Sequence, residues 1–362
     1  MFVQQPKAVV IGDCHFYNAY PSFDYLESQF DTIREIVVYE KPTHVVFLGD
    51  IFHFRKPDPE TIVRVVRFFV ELSYLDGRRN LIFIRGNHDT AAKSDSNPLC
   101  VLSILDGSVF TGNSEVVTTA SKIPFSDKID FHLIAHYDDE HKIREFLDQI
   151  PEKTKDHKTP IVFGHFGFKG CINPNGDEDS PLGLDVFKYK TFLGHIHKAQ
   201  DEGNVHVVGT PYSTTFSESD NNHRYAVIEA NGNHYFRKIN FGVRYVQFPL
   251  NSLEANKKFI CDGNYDTILR VYLDQILDNN SVDLRKKIMA EYDVCYVDIK
   301  YLPMADEGQE QSSYRPKSMV FELTDDLIQN YISECKSEIP VQYLLDGLKL
   351  LKEQDDLKKI SG

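Results

Sequence analysis

Val45-Val46-Phe47-Leu48-Gly49-Asp50-Ile51-Phe52-His53 is the stretch that decides how this chain is read. An apolar run of strand length stops at a glycine, and a carboxylate and an imidazole follow immediately. In layered α/β proteins, polar residues just beyond the carboxyl ends of strands gather at one edge of the sheet. Asp50 therefore reads as a carboxylate shared between two metal ions, and the remaining candidate ligands should lie at neighbouring strand ends.

Working outward, residues 7–13 form a short apolar strand that also stops at a glycine and delivers Asp13 and His15. Leu26, Phe30, Ile33 and Val37 recur at near-helical spacing, which predicts a helix between these two strands. On the other side, Asp58 as N-cap, Pro59 in the first turn and Ile62, Val65, Val66, Phe69 and Leu72 on one face predict the return helix. A third strand at 81–84 ends in Arg85-Gly86-Asn87-His88-Asp89. The pattern is β-α-β-α-β, with the site at the carboxyl edge of the sheet.

Short strands follow at 116–119 and 131–134, then a helix at 140–150. A strand at 160–163 runs into Gly164-His165, and one at 191–193 into Gly194-His195-Ile196-His197. Between them, 170–183 is a loop rich in Gly, Pro and Asp. Strands at 205–208, 224–229, 234–239 and 243–248 are expected to complete a second, more antiparallel set. From residue 251 the strand-end motifs cease. A small β-α-β unit is predicted there, with strands at 267–273 and 294–302 and a helix at 281–292. A polar stretch at 305–317 precedes two amphipathic helices, whose apolar faces require a partner.

Composition bounds the classes. The 362 residues are 41% apolar and 26% charged, as in an ordinary protein with a sizeable core. There is no run of about 18 apolar residues, and Met1-Phe2-Val3-Gln4-Gln5-Pro6-Lys7 lacks the pattern of a signal peptide. A cytoplasmic location is expected, in host cytoplasm if the source is viral. The six cysteines form no Cys-x-x-Cys pair, against both a zinc knuckle and a disulfide framework. A net charge of −14 counts against nonspecific DNA affinity, which comes from neutralising phosphates.

The strand ends supply Asp13, His15, Asp50, Asn87, His88, His165, His195 and His197. A dinuclear hydrolytic site needs mixed oxygen and nitrogen ligands, one bridging carboxylate, and open positions for water and a phosphate. Gly-Asp at a strand end or Asp-x-His in a turn has an ordinary structural explanation when it stands alone. All the pieces in one order, each after an apolar strand, do not.

That order, Gly-Asp-x-His, Gly-Asp-x-x-His, Gly-Asn-His-Asp, Gly-His and Gly-His-x-His, resembles the calcineurin-like metallophosphoesterase superfamily. Gly49-Asp50-Ile51-Phe52-His53-Phe54-Arg55-Lys56-Pro57 and Gly194-His195-Ile196-His197-Lys198 are similar to the SbcD-type nuclease subunits, relatives of the meiotic-recombination-eleven nuclease of double-strand-break repair and recombination. Gly164-His165-Phe166-Gly167-Phe168-Lys169-Gly170, Gly209-Thr210-Pro211-Tyr212-Ser213 and the compact length are most similar to phage versions. The resemblance implies a two-sheet α/β/β/α sandwich at 1–250, a small β-α-β capping, DNA-binding domain at 251–323, and a helical segment at 324–362 that docks an SMC-like ATPase of the SbcC type. It implies one ion on Asp13, His15, Asp50 and His197, and another on Asp50, Asn87, His165 and His195. His88 is then the acid near the leaving group or the attacked phosphate, paired with Asp89, and His53 helps to process DNA ends without being a ligand. Manganese is the family's usual ion; the ligand set also accepts Mg2+, Fe2+ or Zn2+. A homodimer is implied as well.

Three residues depart from the family pattern. His136 is an extra histidine, expected to be structural; Phe16 replaces a leucine; and Cys14, between two candidate ligands, should point away from the metals. The favoured reading is a metal-dependent exonuclease and endonuclease, 3′ to 5′ by family analogy, acting on double-strand ends, hairpins or single strands. The alternatives are a phosphatase or small-molecule phosphodiesterase on the same site, or mainly a scaffold that binds DNA and the ATPase.

Overall fold

The computed structural model describes residues 5–20, 23–75, 77, 79–89, 114–152, 157–173, 178–180, 182–273 and 281–301. The expected terminal helices at 324–362 and the polar stretch at 305–317 lie outside the described residues.

The chain opens with β1 (Lys7–Ile11), α1 (Tyr25–Glu40), β2 (His44–Phe47), α2 (Pro59–Tyr74), β3 (Asn80–Ile84) and β4 (Glu115–Val117). Then come β5 (Ala120–Pro124), β6 (Ile129–Ile134), α3 (Glu140–Asp148), β7 (Thr159–His165), β8 (Cys171–Ile172) and β9 (Glu178–Asp179). β10 (Thr191–Gly194), β11 (Gln200–Glu202), β12 (Val205–Val207), β13 (Arg224–Glu229) and β14 (His234–Lys238) follow. The last described elements are β15 (Gly242–Pro249), α4 (Lys257–Ile260), β16 (Tyr265–Leu273), α5 (Ser281–Tyr292) and β17 (Tyr296–Tyr301). Among the described residues, no helix is long and apolar enough to cross a membrane.

Two six-stranded sheets, ordered β14-β13-β1-β2-β3-β4 and β11-β12-β10-β7-β6-β5, carry the fold. β1 to β4 run parallel, as do β6, β7, β10 and β12. Successive residues of a strand face opposite sides of its sheet, and both sides here are apolar. Val9 and Ile11 pack with Phe30, Ile33 and Val37 of α1 and Phe69 of α2. Ala8 and Val10 turn the other way, toward Phe131, Phe163 and Phe192 of the second sheet. That sheet's outer face carries Val162 and Leu193 against Ile143 and Leu147 of α3. The layers are thus α/β/β/α, the expected sandwich. Strands covered on both faces read as continuous apolar runs.

Helix starts follow their local chemistry. Asp58 accepts the amide of Thr61 at 2.9 Å at the start of α2, with Pro59 in the first turn, as predicted. Three strands differ from their expectation. β15 pairs in parallel with β16, and β16 with β17, as a third sheet. Alternation within 243–248 shows a strand but not its partner, and the register with Thr267, Ile268 and Leu269 exists only once β16 lies alongside. Likewise β13 and β14 extend the first sheet, antiparallel to β1, and do not join the second. Leu269, Val271 and Val297 of the third sheet form a core of their own with Ile288 and Tyr292 of α5.

Candidate metal centre

Register brings the strand-end residues together. Ile11, Phe47 and Phe83 lie abreast in β1, β2 and β3, so Asp13, Asp50 and Asn87 emerge along one edge. Gly194 is abreast of His165 in the facing sheet, which sets His165, His195 and His197 opposite them. The edges meet closely. Gly86 is required because a Cβ there would lie 2.1 Å from Asp50 Oδ1, and Gly49, at φ +110°, would place one 2.3 Å from His165 Nδ1.

Asp50 sits between two nests of donors. Its Oδ1 accepts the amide of His88 at 2.9 Å and lies 3.4 Å from His165 Nε2, while Oδ2 faces His15 Nε2 at 3.6 Å. On one side, Asp13, His15 and His197 offer ligand atoms that lie within 4.8 Å of one another. His15 Nε2 and His197 Nε2 are 2.9 Å apart. On the other side, Asn87 Oδ1 lies 2.9 Å from His165 Nε2 and 3.1 Å from His195 Nδ1. Asp13 bridges between strands by accepting the His195 amide through Oδ1 at 2.7 Å.

The orientation of the rings is decided by what their second nitrogens touch. His165 Nδ1 donates to the Leu48 carbonyl at 2.8 Å, which leaves Nε2 toward Asn87 and Asp50. His197 Nδ1 lies 2.6 Å from Glu218 Oε1, which leaves Nε2 toward His15. Such carboxylate and carbonyl partners fix the tautomer of a metal-binding histidine. Glu218 is itself held by the amide of Thr214 at 2.7 Å and its hydroxyl at 2.9 Å. Nothing in the sequence singled out Glu218. Its only signal was its distance in sequence from the Gly-Thr-Pro turn at 209–211, which had no meaning without the fold.

Three observations fit this set to divalent ions. Asp13 Oδ2 and His15 Nδ1 are buried without a hydrogen-bond partner among the described residues, which costs stability unless something else satisfies them. The lone pairs of several neutral or anionic groups converge at ~3–4 Å, the separation of ligands that share an ion at about 2.1 Å. His15 at φ 46°, Asp50 at φ 46° and His195 at φ 80° hold left-handed backbone, a strain typical of functional sites. Burial lowers the pKa of His15, which keeps its ring neutral as a ligand must be. For Asp50, burial acts upward, but the His165 imidazole, whose own pKa Asp50 raises, outweighs it and holds the carboxyl far below the usual range.

His88 lies beside this centre. Its ligand atom groups with those of His15 and Asp50, and its Nδ1 donates to the His53 carbonyl at 2.6 Å. The expected pairing of His88 with Asp89 is not what the structure has. Asp89 is fully buried and accepts the amides of Gly86 at 2.9 Å and Ile51 at 3.1 Å, with Phe52 at 3.4 Å. It ties the β3 turn to the β2 turn, because the buried amides of both turns need an acceptor and this carboxylate supplies it. His53 stacks on Tyr17 with centroids 4.2 Å apart and meets His15 edge-on at 5.4 Å.

The remaining expectations are placed as follows. Cys14 points into the core under α1, away from the ligands. His136 donates from Nδ1 to the His165 carbonyl at 3.1 Å, and its ring lies 5.6 Å from that of His195. It borders the centre, in a cleft of about 360 Å3 lined also by Asn87, Arg55, Tyr137 and Phe166. That opening leaves space for a phosphate and its substituents.

Residues 6–199 match the family described as calcineurin-like phosphoesterase. Exonuclease subunit 1 of Enterobacteria phage T4 is 26% identical over 197 residues, 53% of this chain and 55% of that protein. The chain thus spans about half the length of the curated relative it matches. A dimetal phosphatase from Danio rerio is similar at 13% identity, covering 64% of this chain and 95% of that one, with a TM-score of 0.38. Since the match takes in more than half of the chain and all the strand ends that converge on Asp50, this protein belongs to the calcineurin-like phosphoesterase family.

Proposed function

We propose that the chain is a two-metal DNA nuclease, hydrolysing phosphodiester bonds as an exonuclease and endonuclease. The observation that carries the hydrolytic part is the Asp50 carboxylate, with one oxygen toward His165 and the other toward His15, beside Asp13 Oδ2 and His15 Nδ1, which have no hydrogen-bond partner among the described residues. DNA as substrate is supported by the similarity to a phage exonuclease subunit.

Asp13, His15, Asp50 and His197 would hold one ion, and Asp50, Asn87, His165 and His195 the other, Mn2+ by family resemblance. When bound, the ions supply Lewis acidity toward phosphoryl oxygens and acidify a water. Glu218 and the Leu48 carbonyl orient His197 and His165. His88, its Nδ1 tied to the His53 carbonyl, keeps Nε2 for holding or giving a proton at the phosphate. His53, clamped by Tyr17, meets the nucleotide without being a ligand. The third sheet with α5 serves as the capping unit, and 324–362 docks an ATPase subunit. Polarity from 3′ to 5′, a homodimer and a cytoplasmic site of action belong to the same reading.

Purified protein with Mn2+ should degrade end-labelled duplex DNA and hydrolyse bis-p-nitrophenyl phosphate, and EDTA should stop both. Turnover of the small ester alone would leave a phosphodiesterase and sink the nuclease. Deletion after Lys317 should abolish ATPase binding while small-ester hydrolysis persists.

A further inference from the structure

A second cleft, of about 480 Å3, opens beside the centre where the loop after β1, the turn at 214–217 and the third sheet converge. Half of its lining residues are aromatic. Tyr17 and Tyr20 come from the loop, Phe216 from the turn, and Tyr245 and Tyr296 from β15 and β17. Tyr20 lies against Tyr296 with centroids 4.5 Å apart, and its hydroxyl is 3.1 Å from that of Tyr245. Most of these rings are only part-buried, although rings that served packing alone would be covered.

Two lining residues of the cleft also support the centre. Tyr17 lines it and also stacks on His53, which meets His15 edge-on. Thr214 lines it and also holds Glu218, the partner of His197. Its charge is balanced, because the cleft's single arginine, Arg270, pairs with Asp298 at 2.7 Å and lies over the Phe216 ring at 3.8 Å. An occupant is therefore recognised by flat apolar faces, with little help from cations.

We propose that this cleft receives the unpaired bases of a single-stranded DNA end and guides the strand toward the metal centre. The proposal rests on the nuclease reading above. Unpaired bases expose π-faces that stack on aromatic side chains, whereas in a duplex those faces are covered by neighbouring pairs. The cleft lies within the size range of a ligand site. Because stacking and not phosphate neutralisation holds the strand, affinity falls only shallowly with salt.

The test measures equilibrium binding of fluorescein-labelled fifteen-residue oligothymidylate, and of a duplex of equal length, to the full chain in EDTA at two salt concentrations. Tyr20→Ala and Tyr296→Ala should each weaken single-strand binding about 5- to 100-fold and leave duplex binding and bis-p-nitrophenyl phosphate turnover unchanged. Tyr296→Trp should restore it. Thr215→Glu, an exposed change at the cleft lip that does not touch the core, should weaken the single strand through charge repulsion. Equal losses for both DNA forms, or none in any variant, would overturn the cleft while wild-type cleavage of DNA stood. Absence of wild-type DNA cleavage with Mn2+ would instead remove the nuclease reading.

Discussion

The two ends of the same strands treat histidine in opposite ways. At the amino end of β2, His44 is half-buried, with Nδ1 2.9 Å from Thr43 Oγ1 and Nε2 2.8 Å from Asn80 Nδ2. Beyond the carboxyl end of β1, His15 is fully buried, but Nδ1 has no partner among the described residues and Nε2 faces another imidazole nitrogen. The first arrangement is complete without any ligand; the second is not. Both rings are at least partly withdrawn from water, so what separates a packing histidine from a candidate ligand is whether its lone pairs are spoken for.

The contrast can be broken most strongly at Asp50. Asp50→Asn keeps the shape and the oxygen that accepts the His88 amide but removes the charge both nests share. It should lower Mn2+-dependent hydrolysis by at least about 10³-fold, measured as kcat on bis-p-nitrophenyl phosphate, with the melting temperature nearly unchanged. Retained activity would remove Asp50 from the centre. Glu218→Gln sharpens the comparison one step out. It leaves all candidate ligands in place and should weaken metal affinity about 10- to 100-fold, read by competition with a chelator.

At the opposite end the expected signature is stability without activity. Burial lowers the pKa of His44 to about 4, from an ordinary value of about 6.5. The unfolded chain therefore takes up the proton first, and stability that is full above the unfolded pKa drains away as pH falls toward the folded one. Between about pH 6.5 and 4 this amounts to roughly 2–3 kcal/mol. His44→Gln should flatten that part of the urea-unfolding profile while hydrolysis per folded molecule is preserved. A loss of hydrolysis would blur the distinction between the two ends. Smaller still is Asp58→Ala, which removes the cap of α2 and should cost about 1 kcal/mol in urea unfolding, with metal binding untouched.

Much of the site is legible in the chain because its pieces are local. Gly-Asp, Gly-Asn-His and Gly-His-x-His each follow a strand, and a strand end fixes which edge they reach. Asp89 shows the limit of adjacency. It follows His88 directly, yet its carboxylate is taken by amides of a different turn, at Ile51 and Phe52. Glu218 and the tyrosine cleft were not legible, since Tyr245 and Tyr296 are set on either side of Ile268 by pairing between β15, β16 and β17 that no periodicity encodes.

From the sequence alone came the elements, the layered α/β class and the candidate ligands, because apolar runs, caps and strand-end glycines act within a few residues. The tertiary structure decided sheet membership, the bridging pose of Asp50 and the support of His197 by Glu218. Those depend on register and on which lone pairs meet across the gap between two sheets, contacts spanning up to 182 residues. The opening stretch illustrates both. Leu48-Gly49-Asp50 announced a carboxylate at a strand end, and only the facing sheet, bringing His165 against it, made that carboxylate the middle of a site.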